Sequence, residues 1–196
     1  EVSWSMKKAI WIVVLGLFFI TPSWGDDISD FKIEGMSIGD SALDYFSEKD
    51  IKKNTKKSYK KKDFTHVENN NYPFFKTYYA VDLNFKTGDS EYKIQGLSGI
   101  IDYQNKSMSK CKKQLKEIFN EISTMFPKWR KVAISTQAMV SDPSGKSKDT
   151  WAGFFSDQGN ITIGCMDYSK EDGGQDHLDI SIRTKEFNQF LIIAYE

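Results

Sequence analysis

The chain has 196 residues, 27 basic and 27 acidic, with 14% aromatic side chains. That length fits a single domain and is too short to need a second, and the aromatic content excludes a disordered chain. The balanced charge leaves the domain close to neutral, with one dense cluster of a single sign, a lysine run taken up below.

Met6, Lys7 and Lys8 form a positive head, Ala9 to Ile20 is apolar and uncharged, and Thr21, Pro22, Ser23 and Gly25 supply the break and small residues of a cut before Asp26. This pattern predicts a cleavable secretory signal from Met6 to about Gly25, with Glu1 to Ser5 as upstream residues. A spanning helix needs roughly 20 apolar residues, more than this run offers, so cleavage is preferred over an uncleaved anchor and no transmembrane segment remains. The mature chain would not begin with Cys, which excludes a lipid anchor there. Without Glu1, Lys7 and Lys8 the balance is 25 basic against 26 acidic residues. The expected location is periplasmic or secreted, and residues 26–196 form the expected α+β domain.

In chain order, Phe31 to Glu34 reads as a short strand, Gly35 as a turn, and Ser37 as a cap before Ala42, Leu43 and Phe46. Ser47 and Asp50 predict a second capped turn through Ile51. Residues 52–62 (KKNTKKSYKKK) read as a lysine-rich linker or frayed helix end, with only Tyr59 to bury. Phe74 to Phe85 alternates, placing Tyr79, Val81, Leu83 and Phe85 on one face and Tyr78, Ala80, Asp82 and Asn84 on the other. Glu91 to Tyr103 returns as its hairpin partner, with a bulge expected at Gly96. Cys111, Leu115, Ile118, Phe119, Ile122, Met125 and Phe126 recur at steps of three and four, predicting a long amphipathic helix from about Met108 to Phe126. Val132 to Val140 then reads as a strand, Ser141 to Asp149 as a polar loop, and Thr150 to Ser156 with Asn160 to Tyr168 as a hairpin. Leu178, Ile180 and Ile182 mark a last strand, and Thr184 caps a terminal helix. Because hairpins dominate, the expected class is α+β, a mostly antiparallel sheet packed by one long amphipathic helix with shorter N- and C-terminal helices.

Cys111 and Cys165 are the two cysteines of a chain addressed to a compartment where disulfides persist;. An intramolecular bridge is expected, closing a loop of about 55 residues and contributing ~4 kcal/mol in the chain-entropy model. The alternative is two unpaired thiols. Lys52, Lys53, Lys56, Lys57, Lys60, Lys61 and Lys62 either keep the surface solvated or bind anionic lipid headgroups, each lysine contributing ~1 kcal/mol near such a surface. The run carries no arginine and no interleaved aromatic except Tyr59, which argues against nucleic acid. The tripeptide GKS in DPSGKS (Asp142 to Ser147) lacks the first glycine of a P-loop, since Val140 stands there; a turn at Pro143 and Gly145 explains it. A Ser/His/Asp triad would have to use His66 or His177 as base, and spacing nominates neither.

Asp167 to Asp179 is the most acidic loop. An EF-hand register from Asp167 puts Asp172 where Gly is required and Leu178 where the bidentate Glu belongs, so that motif is excluded. Asp167, Asp176 and His177 remain as an acid/base set, with a metal site of another kind and a polar loop opened by Gly173 and Gly174 as the other readings.

The segments IEGMSIGDSALDYFS (Ile33 to Ser47), LSGIIDY (Leu97 to Tyr103) and DHLDISIRTKEF (Asp176 to Phe187), with the two cysteines, resemble small exported proteins of marine bacteria. The resemblance implies export from a bacterial cell and supplies no activity, substrate, cofactor or site residue. The leading expectation is a non-enzymatic binding or envelope-accessory domain whose partner is an envelope protein or other ligand. A hydrolase using Asp167, Asp176 and His177, and a peripheral binder of anionic membrane through Lys52 to Lys62, are the alternatives.

Overall fold

A computed structural model describes residues 27–70, 72–104 and 107–196. The expected signal at Met6 to Gly25 lies outside the described residues. Eight strands, β1 (Thr55–Lys56), β2 (Phe64–Asn70), β3 (Ala80–Lys86), β4 (Gly96–Asp102), β5 (Arg130–Ala138), β6 (Lys148–Phe155), β7 (Gly159–Asp167) and β8 (His177–Thr184), make one sheet. Their order is β1-β2-β3-β4-β8-β7-β6-β5, and every neighbouring pair is antiparallel. Two four-stranded meanders thus join along β4 and β8. Among the described residues the α-helices are α1 (Glu48–Asn54), α2 (Met108–Met125) and α3 (Lys185–Ile193).

The α+β class and the antiparallel sheet therefore stand as expected, while the cover of the sheet is shared. One face carries Val67, Leu83, Leu97, Ile161, Ile163, Ile180 and Ile182, all nearly solvent-free. Against it lie Cys111, Leu115, Ile118 and Ile122 of α2, together with Ile28, Ile33, Met36, Phe46 and Ile51 from the N-terminal segment and α1, in one cluster. Ser107 caps α2, accepting from the Ser109 amide;. Cys111 and Cys165 form a disulfide that ties α2 to β7, an inner strand, as the export reading expected.

Several local expectations are corrected. Phe31 to Glu34 is no strand of a sheet: Ile33 and Met36 exchange two backbone bonds of 3.0 Å around Glu34 and Gly35, both at positive φ. That is a two-residue turn of the primed kind. Ser37 does not cap a helix; its hydroxyl donates to the Ser29 and Phe31 carbonyls, and Ser41 caps the short turn at Ala42–Asp44 instead. Ser47 does cap α1, accepting from the Asp50 amide. The lysine-rich stretch is not simply a linker: it ends α1 and supplies β1.

Strand β2, FTHVENN, was not anticipated, because only Val67 and Asn69 alternate into the main core while its other residues are polar or, like Phe64, face the opposite side. The alternation from Phe74 becomes strand only at Ala80, and Tyr78 turns into the core across Gly99, where an added Cβ would lie 2.5 Å from the Tyr78 ring. No bulge separates β3 from β4, whose register is continuous from Ala80↔Ile100 to Asn84↔Gly96. The phase shift has another cause: residues before Gly96 leave the strand, with Tyr92 at φ 49° and Lys93 bridging to Ser41.

Candidate functional site

Strand alternation gives the sheet two unlike faces. Opposite the main core, one end is covered by α3. Thr184 caps that helix, and Phe187, Phe190 and Ala194 pack with Phe64 into a second, smaller cluster joined by Tyr59. The Phe187 ring lies directly over Gly96, where a Cβ would come within 2.4 Å, so β4 must be bare at that point;.

Beyond α3 the same face is polar. One rung across the strands reads Asp82, Ser98, Ser181 and Thr162; the next reads Ile100, Asp179, Gly164 and Trp151; a third reads Asp102, His177, Met166 and Asp149. Ser181 donates to Asp179 Oδ1 at 2.7 Å and meets the Ser98 hydroxyl at 2.7 Å. Burial raises the Asp179 carboxyl above the ordinary carboxylate range, against the Ser181 hydrogen bond and the charges of Arg183 and His177. Asp149 is raised by burial as well, against a hydrogen bond from Gln137. Both carboxyls are thus drawn toward the neutral form.

At the β2 and β3 end, the Ser58 hydroxyl lies 2.5 Å from His66 Nδ1, and His66 Nε2 lies 3.5 Å from Asp82 Oδ2. A hydroxyl, an imidazole and a carboxylate therefore stand in line. Tyr59 beside them donates to Asn84 Oδ1 at 2.7 Å, and burial pushes its phenol well above the ordinary range.

Most buried polar atoms in a folded protein are paired, and an orphan costs about 1–3 kcal/mol. Asp82 Oδ1, Asp149 Oδ1, Trp151 Nε1 and Asn160 Oδ1, all on this face, are buried and have no hydrogen-bond partner among the described residues. The face therefore carries both unsatisfied acceptors and an unsatisfied donor.

The residues singled out in the sequence are placed differently. Asp167 ends β7 opposite Lys148. Asp176 accepts from the Tyr168 amide at 2.8 Å and so holds its own loop. His177 Nδ1 lies 2.7 Å from the Gln175 carbonyl, with its ring stacked on Tyr168. No hydrogen bond or ion pair joins these three among the described residues, nor does any group of three or more His, Cys, Asp or Glu there gather as metal ligands. His177 instead shares its face with Asp149 and Asp179.

In the GKS loop, Asp142 accepts from the Ser147 and Ser144 amides at 2.7 and 2.8 Å, which holds its carboxyl well below the usual range, and Gly145 turns at φ 68°. Of the lysine run, Lys52 pairs with Glu48, Lys56 with Glu68 and Lys61 with Glu196, whereas Lys53, Lys57, Lys60 and Lys62 are exposed. Open clefts of about 250 Å³ along α2 and about 330 Å³ beside α1 contain neither Ser58 nor Asp179; the second includes Lys52 and Glu48 in its lining.

The signal for the polar face was present in the strands themselves. Asp179, Ser181 and Arg183 alternate with Leu178, Ile180 and Ile182, and Asp149 and Trp151 alternate with Thr150 and Ala152. Which strands lie side by side, and so which polar residues share a rung, could not be read from any one of them. Comparison of the chain with protein-family models, with curated proteins and with solved structures finds no match. What fold and site define is therefore a class by geometry, an α+β domain whose antiparallel sheet is apolar on one face and carries a partly buried polar field on the other.

Proposed function

We propose that the chain is an exported, non-enzymatic binding domain that takes a hydroxyl-rich ligand of the glycan class on the polar face of its sheet. The observation that carries this reading is the group of orphan atoms, Asp82 Oδ1 and Asp149 Oδ1 as acceptors and Trp151 Nε1 as donor. A sugar hydroxyl both donates and accepts, whereas a polyamine only donates and would leave the indole unsatisfied. Ile100 beside Asp179, and Trp151 across Gly164 from it, supply the apolar area that a sugar ring covers;. Export is supported by the head, apolar run and small residues of Met6 to Gly25, by the resemblance to exported marine bacterial proteins, and by a disulfide of the kind that persists in oxidising compartments;. Among the described residues no helix is long and apolar enough to cross a membrane.

Thermal unfolding in the presence of oligosaccharide and polyamine panels tests the reading. A raised Tm with an oligosaccharide, lost in Asp149→Asn and Trp151→Phe while both variants still fold, is the expected result. Stabilisation by polyamines alone, or by ligands indifferent to both substitutions, would remove it.

A hydrolytic reading is favoured by one specific observation, the line Ser58, His66, Asp82. There the imidazole would take the proton as Ser58 Oγ attacks an acyl carbon and give it to the leaving group as the acyl bond to that group breaks, while Asp82 would offset the charge on the ring in between. Labelling by a fluorophosphonate, with Ser58→Ala and His66→Ala as controls, separates the two. Label on Ser58 that requires His66 supports the hydrolase, and an unlabelled protein supports the binding domain.

A further inference from the structure

The lysine run alone supplies charge without an anchor, and the fold adds one. After β1 the chain passes the end of α3, where the Lys60 and Lys61 amides donate to the Ala194 carbonyl at 3.0 and 3.4 Å. The Tyr59 ring packs edge-on against Phe190 and Tyr195, with centroids 5.1 and 5.8 Å apart. These contacts fix the lysines beside the tip of α3. There Ile192 is 75%, Ile193 40% and Tyr195 60% exposed, three of the few large apolar side chains exposed among the described residues. Lys57, Lys60 and Lys62, which flank Tyr59 and Lys61 along the chain, are exposed and join no ion pair among the described residues.

From this juxtaposition we infer that the α3 tip and the adjoining lysines form one docking surface for an anionic lipid bilayer. Ile192 and Ile193 enter the headgroup boundary, Tyr195 sits at the interface, and Lys57, Lys60 and Lys62 meet the lipid phosphates. The chemistry fits a bilayer on two counts. Lysine is a flexible point charge that tolerates the irregular spacing of headgroups, and its stem can lie along apolar surface while the ammonium stays in water. Neither half suffices alone, since lysines without an apolar anchor are released by salt, and two isoleucines without charge bind a bilayer only marginally. The domain is close to neutral overall, so the attraction is local and orients the molecule with the α3 end toward the membrane;. This docking does not depend on the polar-face reading: Ser58 and His66 border it, and the rungs holding Asp149 and Trp151 lie several strands away.

Protein recovered from the periplasm of an expressing bacterium, its N-terminus read by mass spectrometry, is mixed with vesicles of phosphatidylcholine alone or with about 30% phosphatidylglycerol. Binding to the anionic vesicles at about 0.05 M salt, weakened at least tenfold at about 0.5 M and absent on phosphatidylcholine, is expected. Lys57→Gln with Lys60→Gln and Lys62→Gln should lower partitioning about a hundredfold. Ile192→Ser with Ile193→Ser should lower it about tenfold and leave the salt dependence intact. All five side chains are at the surface, so unchanged circular dichroism and melting are expected in both variants. No binding to anionic vesicles at low salt, equal binding to both vesicle types, or binding indifferent to either set of substitutions would overturn the inference.

Discussion

Removing the Cys111–Cys165 disulfide is the sharpest perturbation that the fold invites. The bridge spans 54 residues and ties α2 to β7. In the unfolded chain, closing a loop of that size removes entropy equivalent to ~4 kcal/mol at 25 °C. Both cysteines are fully buried among apolar side chains, so Cys111→Ala with Cys165→Ala adds a cavity contribution of about 1 kcal/mol or more;. Against a typical total of about 5–15 kcal/mol, a third or more of the stability is at stake. With an unfolding slope of about 2 kcal/mol/M, the urea midpoint should fall by about 2 M. The slope should rise slightly, because the unbridged unfolded chain expands further. The assay is urea unfolding followed by circular dichroism, comparing native protein, protein reduced in denaturant, and the double variant. A midpoint unchanged on reduction would refute the loop argument, and two alkylatable thiols in the native protein would refute the bridge itself.

Other expectations follow from local geometry. Asp179 is raised by burial, so the folded state holds its proton at pH values where the unfolded state has released it, and stability falls as pH rises from about 4 through the folded-state value;. Asp179→Asn should therefore gain on the parent as pH rises through that window and then level off; a difference that is flat, or that grows toward acid, would contradict the burial argument. Glu34 stands at φ 51° and accepts from the Lys76, Thr77 and Tyr78 amides at 2.7–3.0 Å. Glu34→Ala and Glu34→Gly should both lower the melting temperature, the glycine variant by less, by ~1 kcal/mol, because it relieves the left-handed strain. Equal melting of the two would show that strain at this turn is negligible. Gly96→Val drives a side chain into the Phe187 ring and should cost about 1–3 kcal/mol;. Faster amide exchange in α3 should accompany the loss, and a variant as stable and protected as the parent would refute the close packing.

The helices and the inner strands were legible because they carry strong periodicity. The stripe Cys111, Leu115, Ile118 and Ile122 fixed α2 to within a residue, and Thr184 marked the start of α3. Where short polar side chains compete, the reading failed. Ser37 reads as the cap on paper, but its hydroxyl is claimed by the carbonyls of Ser29 and Phe31, brought close by the turn at Glu34 and Gly35, and Ser41 caps instead. The site was the least legible part. The acidic loop drew attention by density, yet Asp176 serves the Tyr168 amide there, while Asp149, Asp179 and Asp82 are scattered through the sequence on three different strands.

The sequence by itself determined the α+β class and the long helix, because each depends on local composition and period; it left the two cysteines as a bridge or as unpaired thiols, and the structure joins them. Only the tertiary structure decided that β8 lies between β4 and β7, and with it which polar side chains share a rung. It likewise seated Tyr59 and the lysines against the tip of α3, more than 120 residues further along the chain. Strand order and long-range seating are set by the burial of whole faces at once, a property that no single segment carries.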